Sequence, residues 1–195
     1  DSLNETNTYE TTDRTYYETV ELTRKVVSGF NTVCLPFDLT ASQVQTVFGS
    51  GTEVYAFSEN GEENAEDISI SFNKVVAGTI SANVLVLVKA TQASTEQVFQ
   101  GVQVVAPTTD VQVAGNIVTF KGVYAPITVA EGDYFIREGA LYKSAGETNL
   151  KAFRAYIDAQ DAVGVKLFVG GEEVATGISS IENGQLTIDN AAIYN

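Results

Sequence analysis

The sequence predicts an all-β protein, an antiparallel β-sandwich with one short helix at about residues 40–48. Three observations lead to this fold class. Many short stretches alternate apolar and polar residues, as half-buried strands do. Turn-forming residues separate these stretches at intervals of roughly 8 to 12 residues, a spacing typical of sandwiches. Only one stretch combines a helix start signal with a helix stop signal.

The sequence predicts the fold most clearly over residues 28–51, where a strand leads directly into the helix. Residues 32–37 are predicted as a strand, and the alternation gives it two faces. One face carries Val33, Leu35 and Phe37, and the other carries Thr32, Cys34 and Pro36. Proline cannot donate a hydrogen bond to a neighbouring strand, so this strand should end at Pro36 or lie at a sheet edge there.

The helix has signals at both of its ends. Thr40 is the predicted N-cap, and Gln43, three residues later, completes a capping box. Gly49 stands where a left-handed C-terminal residue is needed. Val44, Val47 and Phe48 are predicted to form one apolar stripe of the helix.

The remaining strands follow from alternation and from turn residues. In chain order they are residues 17–27, 54–57, 68–72, 84–89, 98–105, 117–123, 134–137, 141–143, 153–157, 165–169, 178–181 and 186–188. The predicted turns are Asn60-Gly61, Glu138-Gly139, Gly170-Gly171 and Asn183-Gly184. Gly139 should need a positive φ, because a two-residue hairpin loop requires it.

Composition limits the possible partners. The chain has 195 residues and a net charge of -14, with 11 basic and 25 acidic residues. Nucleic-acid binding is not expected, because phosphate contacts need a basic stripe and none is visible. No apolar run is long enough for a membrane span. The single cysteine, Cys34, lies in an apolar strand and is predicted to be a buried thiol without a catalytic role.

Several motifs resemble a β domain that recurs in secreted and surface proteins of gut and oral Bacteroidetes. The motif GFNTVCLPFD is similar to that family's GWNTLCLPFD-type opening, with Phe30 in place of the usual Trp. ANVLVLVKA resembles its ANxPYLVK strand, with Leu85 and Val86 where Pro and Tyr are common. FKGVYAP, GDYFIREGALYKSAG and KAFRAYI follow in the family's order. The resemblance implies an extracellular or cell-surface location, with a signal peptide removed, and it implies no catalytic residues.

Three segments are expected from tail composition and from this resemblance. Residues 1–15 are polar and predict a flexible tail. Residues 16–176 form the sandwich domain. Residues 177–195 are predicted as a C-terminal hairpin or tail, because GISSIENGQLTIDNAAIYN resembles the lead-in to a short C-terminal module that follows this domain in related surface proteins.

Few reaction chemistries fit this sequence. The chain has no histidine, which removes His-dependent nucleophile activation and the common zinc and haem sites. Paired carboxylates for glycoside hydrolysis remain open, although sequence alone cannot place them. Calcium is also open at the acidic loop 59–67, but a solvated turn is favoured there because EF-hand spacing is absent. The acidic residues of that loop are Glu59, Glu62, Glu63, Glu66 and Asp67. We predict no catalytic, cofactor-binding or metal-ligating residue and no cofactor.

Aromatic and basic residues are interpreted as structural. Tyr9, Tyr16 and Tyr17 could stack on sugars or proteins, but packing is the preferred interpretation. In the predicted strand 153–157, Arg154 and Tyr156 share one face, and Arg154 is expected to pair with a carboxylate.

The sequence therefore predicts a non-catalytic extracellular or cell-surface module of a bacterial protein. It would act in adhesion, in another interaction or as a structural spacer, and its partner, a protein or a glycan, is unidentified. A glycan-binding module is the alternative, and a carboxylate-dependent glycosidase is a further one. Exposed aromatic residues would favour the first alternative, and two carboxylates facing each other across a cleft would favour the second.

Overall fold

The computed structural model describes residues 1–10, 15–63, 68–108, 112–114, 118–159, 164–174, 176–182 and 185–189. The elements in chain order are β1 (Ser2–Asn4), β2 (Thr15–Val26), β3 (Gly29–Val33), α1 (Ala41–Phe48), β4 (Glu53–Glu63), β5 (Ile68–Lys74), β6 (Val86–Ala90), β7 (Ser94–Val104), β8 (Gln112–Ala114), β9 (Thr119–Val123), β10 (Ile127–Val129), β11 (Tyr134–Arg137), β12 (Ala140–Lys143), β13 (Thr148–Leu150), β14 (Arg154–Asp158), β15 (Val165–Val169), β16 (Glu172–Val174), β17 (Thr176–Glu182) and β18 (Gln185–Asp189). The predicted all-β sandwich with one short helix is confirmed.

The strands form two large sheets and two small ones. The strand orders are β16-β15-β5-β4-β6-β3, β18-β17-β12-β11-β14-β9-β8, β1-β2-β7 and β10-β13. Most neighbouring strands are antiparallel, but β1 with β2, β5 with β15 and β12 with β17 pair in parallel. Parallel pairs need long connections, so alternation in the sequence gives no sign of them.

The six-stranded sheet is covered on both faces. One core lies between it and the seven-stranded sheet, where the rings of Phe72 and Phe120 meet edge to face at 5.1 Å between centroids. The other core packs α1 and the β2–β7 sheet against the opposite face. Leu87 of β6 points into the first core, and its neighbours Val86 and Val88 point into the second. This explains why β6 reads as an almost continuous apolar run.

The strand that leads to the helix lies earlier than predicted. It was expected at residues 32–37, but β3 spans Gly29–Val33. The alternation beyond it is still real, because Leu35 and Phe37 pack in the helix-side core while Cys34 packs in the other. The alternation over these residues therefore reflects which of the two cores each side chain packs in. It does not indicate that the residues after Val33 are hydrogen-bonded as a strand.

The helix signals are confirmed. The Gln43 backbone N–H donates to Thr40 Oγ1 at 3.3 Å, and the Thr40 N–H donates to Gln43 Oε1 at 2.8 Å, which completes the capping box. Gly49 has φ of 100° and donates its N–H to the Gln45 carbonyl at 3.1 Å. Among the described residues, no helix is long and apolar enough to cross a membrane.

Two turns agree with the sequence and one does not. Glu138 and Gly139 both have positive φ, 51° and 83°, in a two-residue loop between β11 and β12. Gly170-Gly171 likewise joins β15 to β16. Asn60-Gly61 is not a turn, because β4 continues through it and Asn60 pairs with Ile70. Asn-Gly signals a turn only when the chain ends a strand there, and the continuing pairing with β5 overrides it.

The predicted hairpin near the end of the chain is present. Strands β17 and β18 pair antiparallel, and Glu182 lies opposite Gln185. Its turn residues, 183–184, lie outside the described residues. Strand β17 also pairs with β12, so the hairpin extends the seven-stranded sheet.

The N-terminal segment differs from the predicted flexible tail. Strand β1 pairs with β2, and Leu3, Glu5 and Tyr9 are buried. The Tyr9 hydroxyl donates to the Val105 carbonyl at 3.1 Å. The prediction is therefore wrong for residues 1–10, because it counted only bulky apolar residues and missed backbone pairing and a buried ion pair. Residues 11–14 lie outside the described residues.

Candidate functional site

A pocket of about 230 Å³ opens where β3 meets the β11–β12 hairpin. We call it the cationic pocket. Its charged side chains are Glu5, Lys25, Arg137, Glu138, Lys151 and Arg154, and its other walls include Phe30, Asn31, Thr32, Ile136, Thr148 and Asn149. These residues come from four separate stretches of the chain, residue 5 and residues 25–32, 135–138 and 148–154, so the pocket forms only in the folded chain.

The floor of the cationic pocket is a buried carboxylate between two cations. Glu5 is only 5% exposed. It accepts a hydrogen bond from Lys151 Nζ at 2.8 Å and pairs with the Arg154 guanidinium. Burial alone would raise the pKa of Glu5, but the Lys151 hydrogen bond and the Arg154 charge lower it below its ordinary value. Glu5 is therefore ionised at neutral pH, and the predicted pairing of Arg154 with a carboxylate is confirmed.

Arg24 of β2 bridges two other parts of the chain by hydrogen bonds, β3 at Thr32 and the residue before β14, Phe153. Its side chain is 1% exposed, and it donates to the Phe153 carbonyl and to the Thr32 carbonyl, each at 2.5 Å. Phe153 was predicted to share a strand face with Ala155, but it has φ of 62° and packs in the opposite core. This bend starts β14 at Arg154 and positions the guanidinium over Glu5.

The pocket mouth carries two basic side chains, Arg137 and Lys25, that are unpaired or only weakly paired with acidic side chains of the described residues. Arg137 is exposed, and no acidic side chain pairs with it among the described residues. Lys25 Nζ lies 4.0 Å from Glu138 Oε1, and both side chains are about two-thirds exposed, at 65% and 64%. Exposed pairs of this kind contribute little free energy, so Lys25 can exchange its partner.

The local charge is opposite in sign to that of the chain. Four of the 11 basic residues line the pocket against two carboxylates, which leaves a local charge of +2 in a chain of -14. Low-dielectric walls focus the electric field of a concave site, so its charges attract a group of opposite charge more strongly than the same charges would on a flat surface. The pocket thus attracts an anionic group, although the net charge of the chain is negative.

One wall is apolar and firmly held. Phe30 is half-buried. The centroid of its ring lies 6.2 Å from the centroid of the Tyr55 ring and 5.6 Å from Lys89 Nζ. The neighbouring Asn31 amide donates to the carbonyls of Val27 and Gly29, at 2.8 and 2.9 Å. These bonds fix the turn between β2 and β3, so the wall is preorganised.

A second pocket, of about 460 Å³, shares Phe30 with the first. We call it the acidic pocket, because Glu53, Glu172 and Glu173 line it with Lys89. Glu53 accepts a hydrogen bond from the Tyr55 hydroxyl at 2.7 Å and pairs with Lys74. Hydrogen bonds from Lys74 and Tyr55 lower the pKa of Glu53, so this carboxyl is a poor general acid at neutral pH.

Asp133 and Asp158 are two carboxyl groups that interact electrostatically. Burial raises the pKa of Asp133, and the charge of Asp158 adds to this, although the Ala159 N–H donates to Asp133 at 3.1 Å. Asp158 pairs with Lys121. Carboxyl groups whose environments separate their pKa values are typical of acid–base catalysis. Neither aspartate lines either of the two pockets described above.

Cys34 is confirmed as a buried thiol. Its side chain is 0% exposed, and burial raises its pKa to about 12. The thiol is therefore protonated at neutral pH and is a poor nucleophile.

The expected acidic loop gives no site in the described part of the chain. Glu59, Glu62 and Glu63 lie in β4, and Glu66 and Asp67 lie outside the described residues. No group of three or more acidic, cysteine or histidine side chains is arranged to hold a metal ion among the described residues.

Of the tyrosines near the start of the chain, Tyr16 is 68% exposed, whereas Tyr9 is buried.

Sequence reasoning missed most of the cationic pocket. Only Arg154 was singled out, and Glu5 was assigned to the tail. Lys25 and Arg137 lie at alternating positions of strands, where a basic residue ordinarily marks a solvated face. No local signal could connect residues that lie up to 149 positions apart.

No family model, curated protein or solved structure matches this chain.

Proposed function

We propose that this chain is a non-catalytic extracellular or cell-surface module of a bacterial protein, and that it acts in adhesion or interaction through the cationic pocket. The observation that carries the proposal is the local charge of +2 over a buried ion-paired floor in a chain of -14. A concave site with a few fixed polar groups and an aromatic wall is the usual form of a binding site.

The location and origin rest on sequence motifs. GFNTVCLPFD and GDYFIREGALYKSAG resemble the corresponding motifs of the Bacteroidetes surface domain. We therefore place the module outside the cell, in a larger secreted or surface-attached protein.

A binding role also agrees with the state of the reactive groups. The chain has no histidine, the Cys34 thiol is buried and protonated, and the Glu5 and Glu53 carboxyls are paired with cations. These groups hold structure or charge and are not poised to transfer a proton.

A glycosidase is the second candidate, and Asp133 with Asp158 is the observation that favours it. The two carboxyl groups interact electrostatically and the pKa of Asp133 is raised, and glycoside hydrolysis uses a pair of carboxyl groups. The absence of both residues from the two pockets is the reason for ranking it second.

The two functions are separated by incubating the protein with plant and host polysaccharides. Release of reducing ends is measured beside binding on a glycan array. We expect binding without turnover. Turnover that disappears in Asp133→Asn, but persists in the exposed control Asp38→Asn, would establish the glycosidase instead. Neither binding nor turnover in folded protein would leave the spacer role.

A further inference from the structure

We infer that the cationic pocket receives one acidic sugar unit of an extracellular polysaccharide, an inference that rests on the proposed binding function and names its ligand class. The acidic group lies between Arg137 and Lys25, and the sugar ring lies against the Phe30 wall.

Size limits the ligand to one unit. The pocket holds about 230 Å³. Pockets for drug-sized molecules occupy about 300–1,000 Å³, so this one encloses a single ring with its substituent rather than a long segment. A polymer would place one unit inside and continue outside.

Charge selects an anionic substituent. The floor cations Lys151 and Arg154 are both paired with Glu5, so the floor adds one net positive charge but its two cations are held by that carboxylate. Arg137 has no acidic partner in the described chain, and the contact of Lys25 with Glu138 is long and exposed. A guanidinium presents a planar fork of donors that matches two oxygens of a carboxylate or a sulfate ester. Arg137 is therefore the main recognition residue, with Lys25 beside it.

The walls suit a sugar better than a bare anion. Phe30 is half-buried, so part of its ring is available to the apolar face of a pyranose, and Ile136 adds apolar surface. Thr148 and Asn149 supply hydroxyl and amide groups to the lining, and Asn149 is exposed. Apolar surface combined with a few polar groups fixes the orientation of such a ligand.

The remaining surface disfavours densely charged polymers. The chain carries a net charge of -14, so a long polyanion is repelled by the protein as a whole and is attracted only by local positive charge such as that of this pocket. Recognition should therefore depend on one acidic unit and should weaken as salt screens the pocket charges.

The test compares three oligosaccharides: an oligogalacturonate with carboxylates, a sulfated dextran oligosaccharide and a neutral maltooligosaccharide. Binding is measured by calorimetry for wild type, Arg137→Gln and Lys166→Gln. The last variant is the matched control, because Lys166 is exposed on β15, carries the same charge and does not line the pocket. Circular dichroism checks the fold of each variant.

We expect an acidic oligosaccharide to bind and the neutral one not to bind. Arg137→Gln should weaken the affinity about tenfold, the loss of one charge-assisted contact, and Lys166→Gln should leave it nearly unchanged. Preference for the first or the second probe identifies the acidic group as a carboxylate or a sulfate ester. Lys25→Gln should weaken the same probe by a smaller factor.

Three results would overturn the inference: no binding of either acidic probe, equal weakening by Arg137→Gln and Lys166→Gln, or equal binding of the neutral probe. The proposed function fails separately. A protein or neutral glycan that still binds elsewhere on the array would remove only the acidic-sugar inference, whereas an absence of any ligand would remove both.

Discussion

The helical unit and the floor of the cationic pocket are held by contacts of very different range. In the helical unit, Thr40 and Gln43 cap each other across three residues, and Gly49 bonds to Gln45. In the pocket floor, Glu5 joins Lys151 and Arg154, which are 146 and 149 residues away. The helix can form its own ends, whereas the pocket depends on closure of the whole chain.

Because of this difference in range, ligand binding and the stability of the whole fold should be coupled at the pocket floor and not at the helix. A lost cap frays one helix end, because the groups involved are local and open to solvent. A lost floor contact leaves charge without its partner at the meeting point of several strands, so the cost reaches the global fold. Variants in the two regions should therefore separate by size and by extent.

Replacement of Glu5 should have the largest effect. Glu5→Gln removes the negative charge from between Lys151 and Arg154, and we expect the free energy of unfolding to fall by about 2 kcal/mol, the range for hydrogen bonds to charged groups. Urea denaturation measures it. The control Glu96→Gln removes the same charge from an exposed position of β7 and should change stability little. Equal effects of both variants would show that the floor is not a stabilising network.

The stability difference between wild type and Glu5→Gln should depend on pH in a defined direction. The pKa of Glu5 is lower in the folded protein than its ordinary value of 4.5, so its contribution is complete above that value and is lost as the pH falls through the folded pKa. The stability difference between wild type and Glu5→Gln should be full at neutral pH and shrink in acid. A difference that grew in acid would contradict the assignment.

Removal of the helix cap should cost less and stay local. Thr40→Ala deletes the hydroxyl that accepts the Gln43 N–H, and N-cap losses of this kind cost about 1 kcal/mol. Hydrogen exchange should show faster opening of the first helical turn with little change at β14. Thr40→Ser keeps the hydroxyl and should retain most of the protection. Exchange that accelerated equally at β14 would show that the helical unit is not independent.

The same contrast explains what could be predicted from sequence. The capping box of Thr40 and Gln43 and the positive φ of Gly139 depend on neighbouring residues, so local rules located them. The prediction of a turn at Asn60-Gly61 was wrong because β4 continues through these residues, held by its pairing with β5, which is a tertiary contact. Glu5 was placed in a tail because its partners are distant. The residues of the candidate pocket share no periodic or motif signal, so only the folded chain brings them together.

Amide chemical-shift mapping by NMR shows whether a ligand enters the cationic pocket. An oligogalacturonate is titrated into isotope-labelled protein at low salt. We predict that the shifted amides cluster at Lys25, at Ile136 to Glu138 and at Asn149 to Lys151, with the helix amides unchanged and the shifts reversed by added salt. Shifts that centre on the acidic pocket around Glu172, or that spread evenly over exposed lysines, would contradict the claim.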